Sequence, residues 1–462
     1  MPKEIFETSF VAAIVLGSSK VTGIVGRKEP EGTISVLSHV AIPSTDFISK
    51  GRVFNAEKMI SSLKTIRERL EENINRKIDK AYLSIDCMGI RSMPNIIEKI
   101  YNERVTMTQE FVNQFLHSNR ENQTADRTFI ETIPLEYKLG TITTTDPIGV
   151  MTDSVKAHFL NIVCNTTVIE TIENCFRKAG ITIVRHTIAA TQLAQTVTNE
   201  QERTSGCVFV DMGSETTTVA IYKGKLLRHL AVIPLGGANI TRDIANVFNC
   251  EEAEAEQLKR NAGFPNFEDL EENGKEPIFL RDGGRKRLQS ELAEIIEARV
   301  EEIVQNIKHQ IDFSGFNREN LVNGLYIIGG GAQLKNINKS FEQHFKDWNI
   351  RFSKTPSRLG NISCIERNFN ENGTFNVALS IVENGDINCN GGARDNQEWE
   401  LFDGEEQENN DIPPLDDNAE ANADAEAKDQ EQTESASKKS GKLSVFLNRL
   451  KNTVSDFVSD GD

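Results

Sequence analysis

The chain has 462 residues and a formal net charge of −17. That length exceeds one ordinary hydrophobic core, so two or more domains are expected. With 38% hydrophobic and 26% charged residues and no apolar run long enough to span a bilayer, the composition is that of a water-soluble chain; the acidic balance argues against nucleic acid as the main partner.

Residues 1–15 lack a basic stretch followed by an apolar core and a cleavage site, so no secretory signal is expected. Residues 10–16 and 20–26 are apolar runs on either side of Gly17-Ser18-Ser19, which predicts a β-hairpin. Over residues 56–75, Met59, Ile60, Leu63, Ile66, Leu70 and Ile74 recur at helical spacing with charges between them. Residues 81–85 return to strand. A second apolar run, residues 207–211, ends in Asp211, passes through Met212-Gly213-Ser214 and resumes as a strand at 217–222. A helix is expected over 240–248 and a long amphipathic one over 288–311, the latter with Leu292, Ile295, Ile296, Val300, Ile303, Val304, Ile307 and Ile311 on one face. Residues 325–328 form a buried strand followed at once by Gly329-Gly330-Gly331. Mixed strands and helices over this length imply α/β or α+β layers. Seven cysteines (Cys87, Cys164, Cys175, Cys207, Cys250, Cys364 and Cys389) show no C-x-x-C pair, which predicts scattered reduced thiols rather than a disulfide frame or a zinc site.

The acidity sits near the end of the chain. Residues 386–440 hold 17 Asp/Glu against 4 Lys/Arg, leaving residues 1–385 at only −4 and the last 22 residues neutral. A segment so poor in apolar residues cannot offset its chain entropy and is expected to be disordered. Beyond it, Leu443, Phe446, Leu447, Leu450, Val454 and Phe457 fall on one helical face, with Lys442, Arg449 and Lys451 beside them. Such a helix suits an anionic membrane surface, or alternatively docks on the body or on a partner.

Four glycine turns carry the candidate chemistry. Gly17-Ser18-Ser19-Lys20 and Asp211-Met212-Gly213-Ser214-Glu215-Thr216 are both strand–glycine–hydroxyl–strand hairpins, about 195 residues apart, as duplicated halves would be. Glycine lets a backbone approach a phosphate, and consecutive N–H groups with hydroxyls make an anion cradle. Asp211 could hold Mg²⁺ through water. Gly236-Gly237 precedes a helix whose N-terminus could face an anion, and Gly329-Gly330-Gly331 would allow close passage of a ribose or purine. One such turn is weak; four at strand ends are not readily coincidental.

This order of motifs resembles the actin-like ATPase superfamily and, within it, the bacterial FtsA cell-division family. The more specific likeness lies in Ile133-Pro134-Leu135-Glu136-Tyr137, Asp146-Pro147-Ile148-Gly149 and Val155-Lys156-Ala157-His158, which resemble that family's small inserted domain. Asp243-Ile244-Ala245, Ala255-Glu256-Gln257-Leu258-Lys259 and the segment from Arg287 to Arg299 also fit. The resemblance implies an α/β, actin-like (ribonuclease H-like) two-lobed fold with a small inserted domain, a disordered linker and a C-terminal amphipathic helix. It implies subdomain 1A at 1–85 and 168–205, 1C at 86–167, 2A at 206–245 and 313–385, 2B at 246–312, the linker at 386–440 and the helix at 441–462.

The resemblance further implies ATP, with Mg²⁺, in a cleft between two halves. Gly17, Ser18, Ser19 and Lys20 would form the first phosphate loop and Asp211, Gly213, Ser214 and Thr216 the second. Gly236 and Gly237 would flank ribose and phosphate, with Glu256 and Lys259 beside the adenosine and Gly329, Gly330 and Gly331 beneath it; Glu256 and Lys259 also read as an ordinary exposed helix pair. Implied partners are the C-terminal peptide of the tubulin-like FtsZ, further copies of the chain, an anionic membrane and other division proteins through subdomain 1C, at the cytoplasmic face of the inner membrane at the septum. Arg285, Lys286 and Arg287, which also read as a solvated helix start, could pair with the acidic FtsZ peptide. Two departures from the family pattern stand out. Val15 replaces the acidic residue before the first phosphate glycine, and Thr187 and Ile188, in a stretch 185–190 resembling the connecting helix, replace the Glu or Gln that positions water. Weak or absent ATP hydrolysis is therefore expected. Related actin-like pilus-assembly or chaperone-type ATPases are the alternative.

Overall fold

The computed structural model describes residues 9–265, 277–280, 286–366 and 369–393. The expected membrane helix and its residues Lys442, Leu443, Phe446, Leu447, Arg449, Leu450, Lys451, Val454 and Phe457 lie outside them, as does Arg285.

The first lobe is built on β1 (Val11–Leu16), β2 (Lys20–Lys28) and β3 (Ile34–Pro43), an antiparallel meander. A short hairpin, β4 (Ile48–Ser49) and β5 (Arg52–Val53), leads into α1 (Ala56–Ile74). Asn55 caps this helix through its side chain, and Met59, Leu63, Ile66 and Leu70 bury the face the periodicity predicts. After β6 (Arg76–Ile78), β7 (Lys80–Ile85) returns parallel to β1. The inserted domain follows: β8 (Arg91–Thr106), α2 (Gln109–Glu121), β9 (Arg127–Leu139), β10 (Ile142–Thr144) and β11 (Met151–Asn165), with its own small core around Phe115, Tyr137 and Phe159. Helix α3 (Thr166–Lys178) then leads to β12 (Thr182–Ile188), parallel to β7, and to α4 (Ala189–Val197) and α5 (Glu200–Ser205).

The second lobe repeats this plan. β13 (Cys207–Met212), β14 (Thr217–Lys223) and β15 (Leu226–Ile233) form an antiparallel meander. Helices α6 (Gly237–Phe248) and α7 (Glu252–Ala262), a small ribbon of β16 (Pro277–Phe279) and β17 (Lys286–Leu288), and the long α8 (Gln289–Phe313) come next. β18 (Leu325–Ile328) then runs parallel to β13 and, after α9 (Ile337–His344), β19 (Ile350–Phe352) runs parallel to β18. The strand orders match, β3-β2-β1-β7-β12 against β15-β14-β13-β18-β19, as the duplicated hairpins suggested. The match extends to side chains. Tyr82 is in register with Arg185 across β7 and β12, and Tyr326 with Arg351 across β18 and β19; each guanidinium lies over its tyrosine ring.

The apolar runs of β13 and β18 follow from burial on both faces. Phe209, Ala220, Tyr326 and Ile328 face the core shared with the first lobe, while Val208, Val210, Val219, Ile221 and Ile327 pack beneath α6 and α8.

Three expectations need correction. Residues 185–188 belong to β12 rather than to the connecting helix, which starts at Ala189; Thr187 is a buried strand residue whose Oγ1 donates to Leu83 O. The chain also leaves the second lobe before residue 385. β20 (Ile362–Ser363) pairs with β3, and α10 (Asn376–Asn384) buries Ala378, Leu379, Ile381 and Val382 in the first-lobe core. Finally, the folded body runs past 386 into the expected linker. Tyr82 Oη donates to Asp386 Oδ1 at 2.7 Å, Cys389 is buried, and β21 (Asn390–Ala393) pairs with β6.

Candidate functional site

The two glycine hairpins are closed in the same way. Gly17 N donates to Lys20 O (3.1 Å) at the first tip, and Gly213 N to Thr216 O (2.8 Å) at the second. Among the described residues no acceptor takes the tip amides of Ser18, Ser19, Ser214 and Glu215. Ser44, which the sequence reading missed, braces the first loop: its Oγ donates to Gly17 O at 2.6 Å and its amide to Ser19 O.

The second loop gathers the remaining glycine turns around it. Gly237 N donates to Gly213 O (3.0 Å) and Ala238 N to Ser214 O (2.7 Å). The first amides of α6 are thus engaged by loop carbonyls, so this helix N-terminus is a clamp on the loop rather than an open anion site. A Cβ on Gly236 would lie 2.6 Å from Ser214 O and 2.7 Å from Gly213 O, so only glycine fits there. Gly329 has φ +107 and passes against the Asp211 side chain, and Gly331 packs on Met212 and Gly213; Gly330 faces open space. Lys259 Nζ reaches Gly237 O (2.9 Å) and Thr241 Oγ1 (2.8 Å), and pairs with Glu256 at 2.6 Å. Glu256 and Lys259 therefore form the helix pair their spacing allows, and that pair sits against the glycine turn.

Charge in the cleft is divided. Burial pushes the Asp211 carboxyl up to about 7. Asp86, at the end of β7, is driven well above the ordinary carboxylate range by burial and then by the charge of Asp211; its Oδ2 accepts from Thr218 Oγ1 at 3.1 Å. Asp86 was not among the expected site residues, although an apolar strand ending in Asp is the same signal that singled out Asp211. Burial and the nearby Arg260 guanidinium lower the Lys20 ammonium. Burial alone would raise Glu256, but its hydrogen bonds from Lys259 and Thr241 hold it below its usual value. Free amides, hydroxyls and Lys20 on one side and two carboxylates on the other suit an anion accompanied by a cation. Among the described residues no three side chains gather as a metal cluster of their own.

Of the expected peptide-binding cations, Lys286 and Arg287 lie on β17, where the Arg287 guanidinium covers the Phe248 ring at 5.3 Å.

Paired three-plus-two sheets, a glycine hairpin at the end of each first strand and an inserted domain define an actin-like fold. The fold is similar to that of the solved "PilM-PilN type IV pilus biogenesis complex", with a TM-score of 0.58 at 14% identity over 81% of this chain and 98% of that one. The family model described as "Cell division protein FtsA" matches residues 208–379. The curated FtsA of Porphyromonas gingivalis is 29% identical over 332 residues, 70% of this chain and 68% of the relative. That of Escherichia coli K12 is 26% identical over 342 residues, 72% and 81%. Over these spans the chain is similar to the FtsA cell-division proteins.

Proposed function

We propose that this division protein binds ATP with Mg²⁺ in the cleft between the two glycine hairpins. In that state it acts as a self-assembling adaptor that holds the tubulin-like FtsZ ring at the cytoplasmic face of the inner membrane at the septum and helps recruit further division proteins. The observation that carries the nucleotide reading is convergence. Gly213, Gly236, Gly237, Gly331 and Lys259, drawn from four separate segments, meet within hydrogen-bond or van der Waals distance of one another.

In this reading the tip amides and hydroxyls of Ser18, Ser19 and Ser214, with Lys20 and Thr216, hold phosphate oxygens, and Asp211 orients the water shell of the cation. Bound Mg²⁺ supplies charge neutralisation at the phosphates. Hydrolysis is weak. Val15 offers no carboxylate before the first phosphate glycine to help orient the cation's water.

The tether reading rests on composition. The spacer of a random coil this long spans on the order of 40 Å, enough to separate a body from a membrane-bound helix. Its test is co-sedimentation of the full chain with anionic liposomes, with and without the FtsZ C-terminal peptide. The protein pellets with the liposomes and carries the peptide with it, and deletion of residues 441–462 abolishes pelleting. Retention on liposomes after that deletion overturns the tether reading.

A further inference from the structure

Between the two phosphate loops lies a turn that neither loop sequence predicts. Hairpin β4–β5 closes through Lys50 and Gly51 alone, since Ser49 is already paired with Arg52. Both turn residues have positive φ, 48° and 73°, as a two-residue hairpin with the right strand twist demands. A Cβ on Gly51 would lie 2.2 Å from Asp86 O, so the turn is seated tightly against the end of β7. In such a turn the two central amides have no partner within the hairpin. Here they are shared between the lobes: Gly51 N donates to Ser18 Oγ of the first loop at 2.9 Å, and Lys50 N donates to Glu215 Oε2 of the second loop at 2.6 Å. Glu215 is only 7% exposed, and its other oxygen is held by Arg242 on α6. Met88 N donates to Lys50 O, which fixes the turn from behind.

We infer that Glu215 is a positioning residue that sets the separation of the two phosphate loops by gripping the Lys50 amide across the cleft. Its carboxylate acts through the turn and not on the nucleotide. Carboxylate is the suitable choice, because one oxygen must accept from a backbone amide while the other is neutralised by a cation, which keeps a buried negative charge beside a phosphate site tolerable. The inference rests on the nucleotide reading for its purpose and on the observed contacts for its geometry.

The test uses the full chain and two variants, Glu215→Gln, which keeps an acceptor and loses the charge, and Glu215→Ala, which loses both. In nucleotide-free protein, hydrogen exchange at the Lys50 amide is protected in the wild type and in Glu215→Gln, and about tenfold faster in Glu215→Ala, the scale of one charge-assisted hydrogen bond. The Kd for Mg-ATP, read by equilibrium titration, rises about tenfold for Glu215→Ala and less than about threefold for Glu215→Gln. A freely exchanging Lys50 amide in the wild type overturns the inference without any variant. So does an equal shift of Kd in both variants, in either direction, since that would mark a charge effect rather than a positional one. If the wild type binds no Mg-ATP, the nucleotide reading fails, while the exchange measurement still decides whether the latch exists.

Discussion

The two lobes share a backbone plan and divide the chemistry unequally. Val15 pairs with Thr22 and Asp211 with Thr218, in each case one step before the last pair of the hairpin, so the two positions are equivalent. One lobe presents a carboxylate there and the other a half-buried valine packed against its core. Aligned on Tyr82 and Tyr326, the end of β7 offers Asp86 where the end of β18 offers Gly330. The carboxylates therefore stand on the first strand of the second lobe, β13, and at the end of the first parallel return strand of the other, β7. A duplicated fold supplies two loop ends for one ligand, and only one copy of each charge is needed once they face each other. In the nucleotide reading proposed above, glycine is then free to occupy the second lobe's remaining position, where a purine or ribose would lie.

The largest test of this asymmetry concerns how each lobe holds its long helix. Arg299 on α8 makes a two-pronged contact with Asp243 on α6, at 2.6 and 3.0 Å, and also meets Glu302, all three side chains being nearly buried. In the first lobe, Arg67 on α1 meets the buried Glu71 at 2.9 Å and also donates to Ala179 O and Gly180 O, while Glu71 accepts from the Ile78 amide at 2.7 Å. Arg299→Ala strands two buried carboxylates and is expected to cost about 3–5 kcal/mol, whereas Arg67→Ala strands one, which still accepts from the Ile78 amide, and is expected to cost less, about 1–3 kcal/mol; urea denaturation reads both. Burial already raises the Asp243 and Glu302 carboxyls above their usual values despite Arg299. Groups with raised folded-state values stabilise below the carboxylate range, and that contribution is lost as pH rises, so the Arg299→Ala deficit grows from acid to neutral pH. Equal costs in the two lobes would break the comparison.

Next comes the cleft. Asp211→Ala is expected to weaken Mg²⁺-dependent ATP binding on the order of 10–100-fold, the scale for removing a group that orients a metal's shell. Val15→Asp restores the missing partner and should raise ATP turnover, measured as phosphate release; unchanged turnover would mean that Val15 is not what limits hydrolysis. Gly236→Ala drives a Cβ into two loop carbonyls and should lower stability by about 1–3 kcal/mol, while Gly330→Ala, facing open space, stays within about 0.5 kcal/mol.

Much of this was legible in the residues. Apolar runs gave the central strands, helical spacing gave α1 and α8, and glycine with a following hydroxyl gave both loops, because each signal is local. What escaped were contacts between distant segments. Lys50 and Glu215 are 165 positions apart, and nothing near either one predicts the other. The clamp of α6 on the second loop was hidden for a similar reason: helix-start chemistry shows that amides are available, and only packing shows that Gly213 and Ser214 have taken them. The return of α10 to the first lobe was likewise invisible, since its apolar face would suit either core. Asp86 is a different failure. Its local signal was present at the end of residues 81–85 and was passed over because no glycine follows directly.

The smallest expected difference is between the paired tyrosines. Tyr82 Oη donates to Asp386 Oδ1 and accepts from the amides of Asp386 and Ile387 at 3.0 and 2.9 Å, so it anchors the start of the segment 386–393. Tyr326 Oη meets Arg351, yet Arg351 also reaches Glu202 directly at 2.9 Å, leaving that network closed without the hydroxyl. Tyr82→Phe should therefore speed hydrogen exchange of the Asp386 and Ile387 amides about tenfold, since two donors lose their acceptor. Tyr326→Phe should leave exchange around Arg351 nearly unchanged, because the ring that carries the cation contact remains. If both variants loosen their surroundings alike, the symmetry of the Arg–Tyr pairs extends to their energetics; if only Tyr82→Phe does, the first lobe has turned its copy into the attachment point for the segment that begins at Asp386.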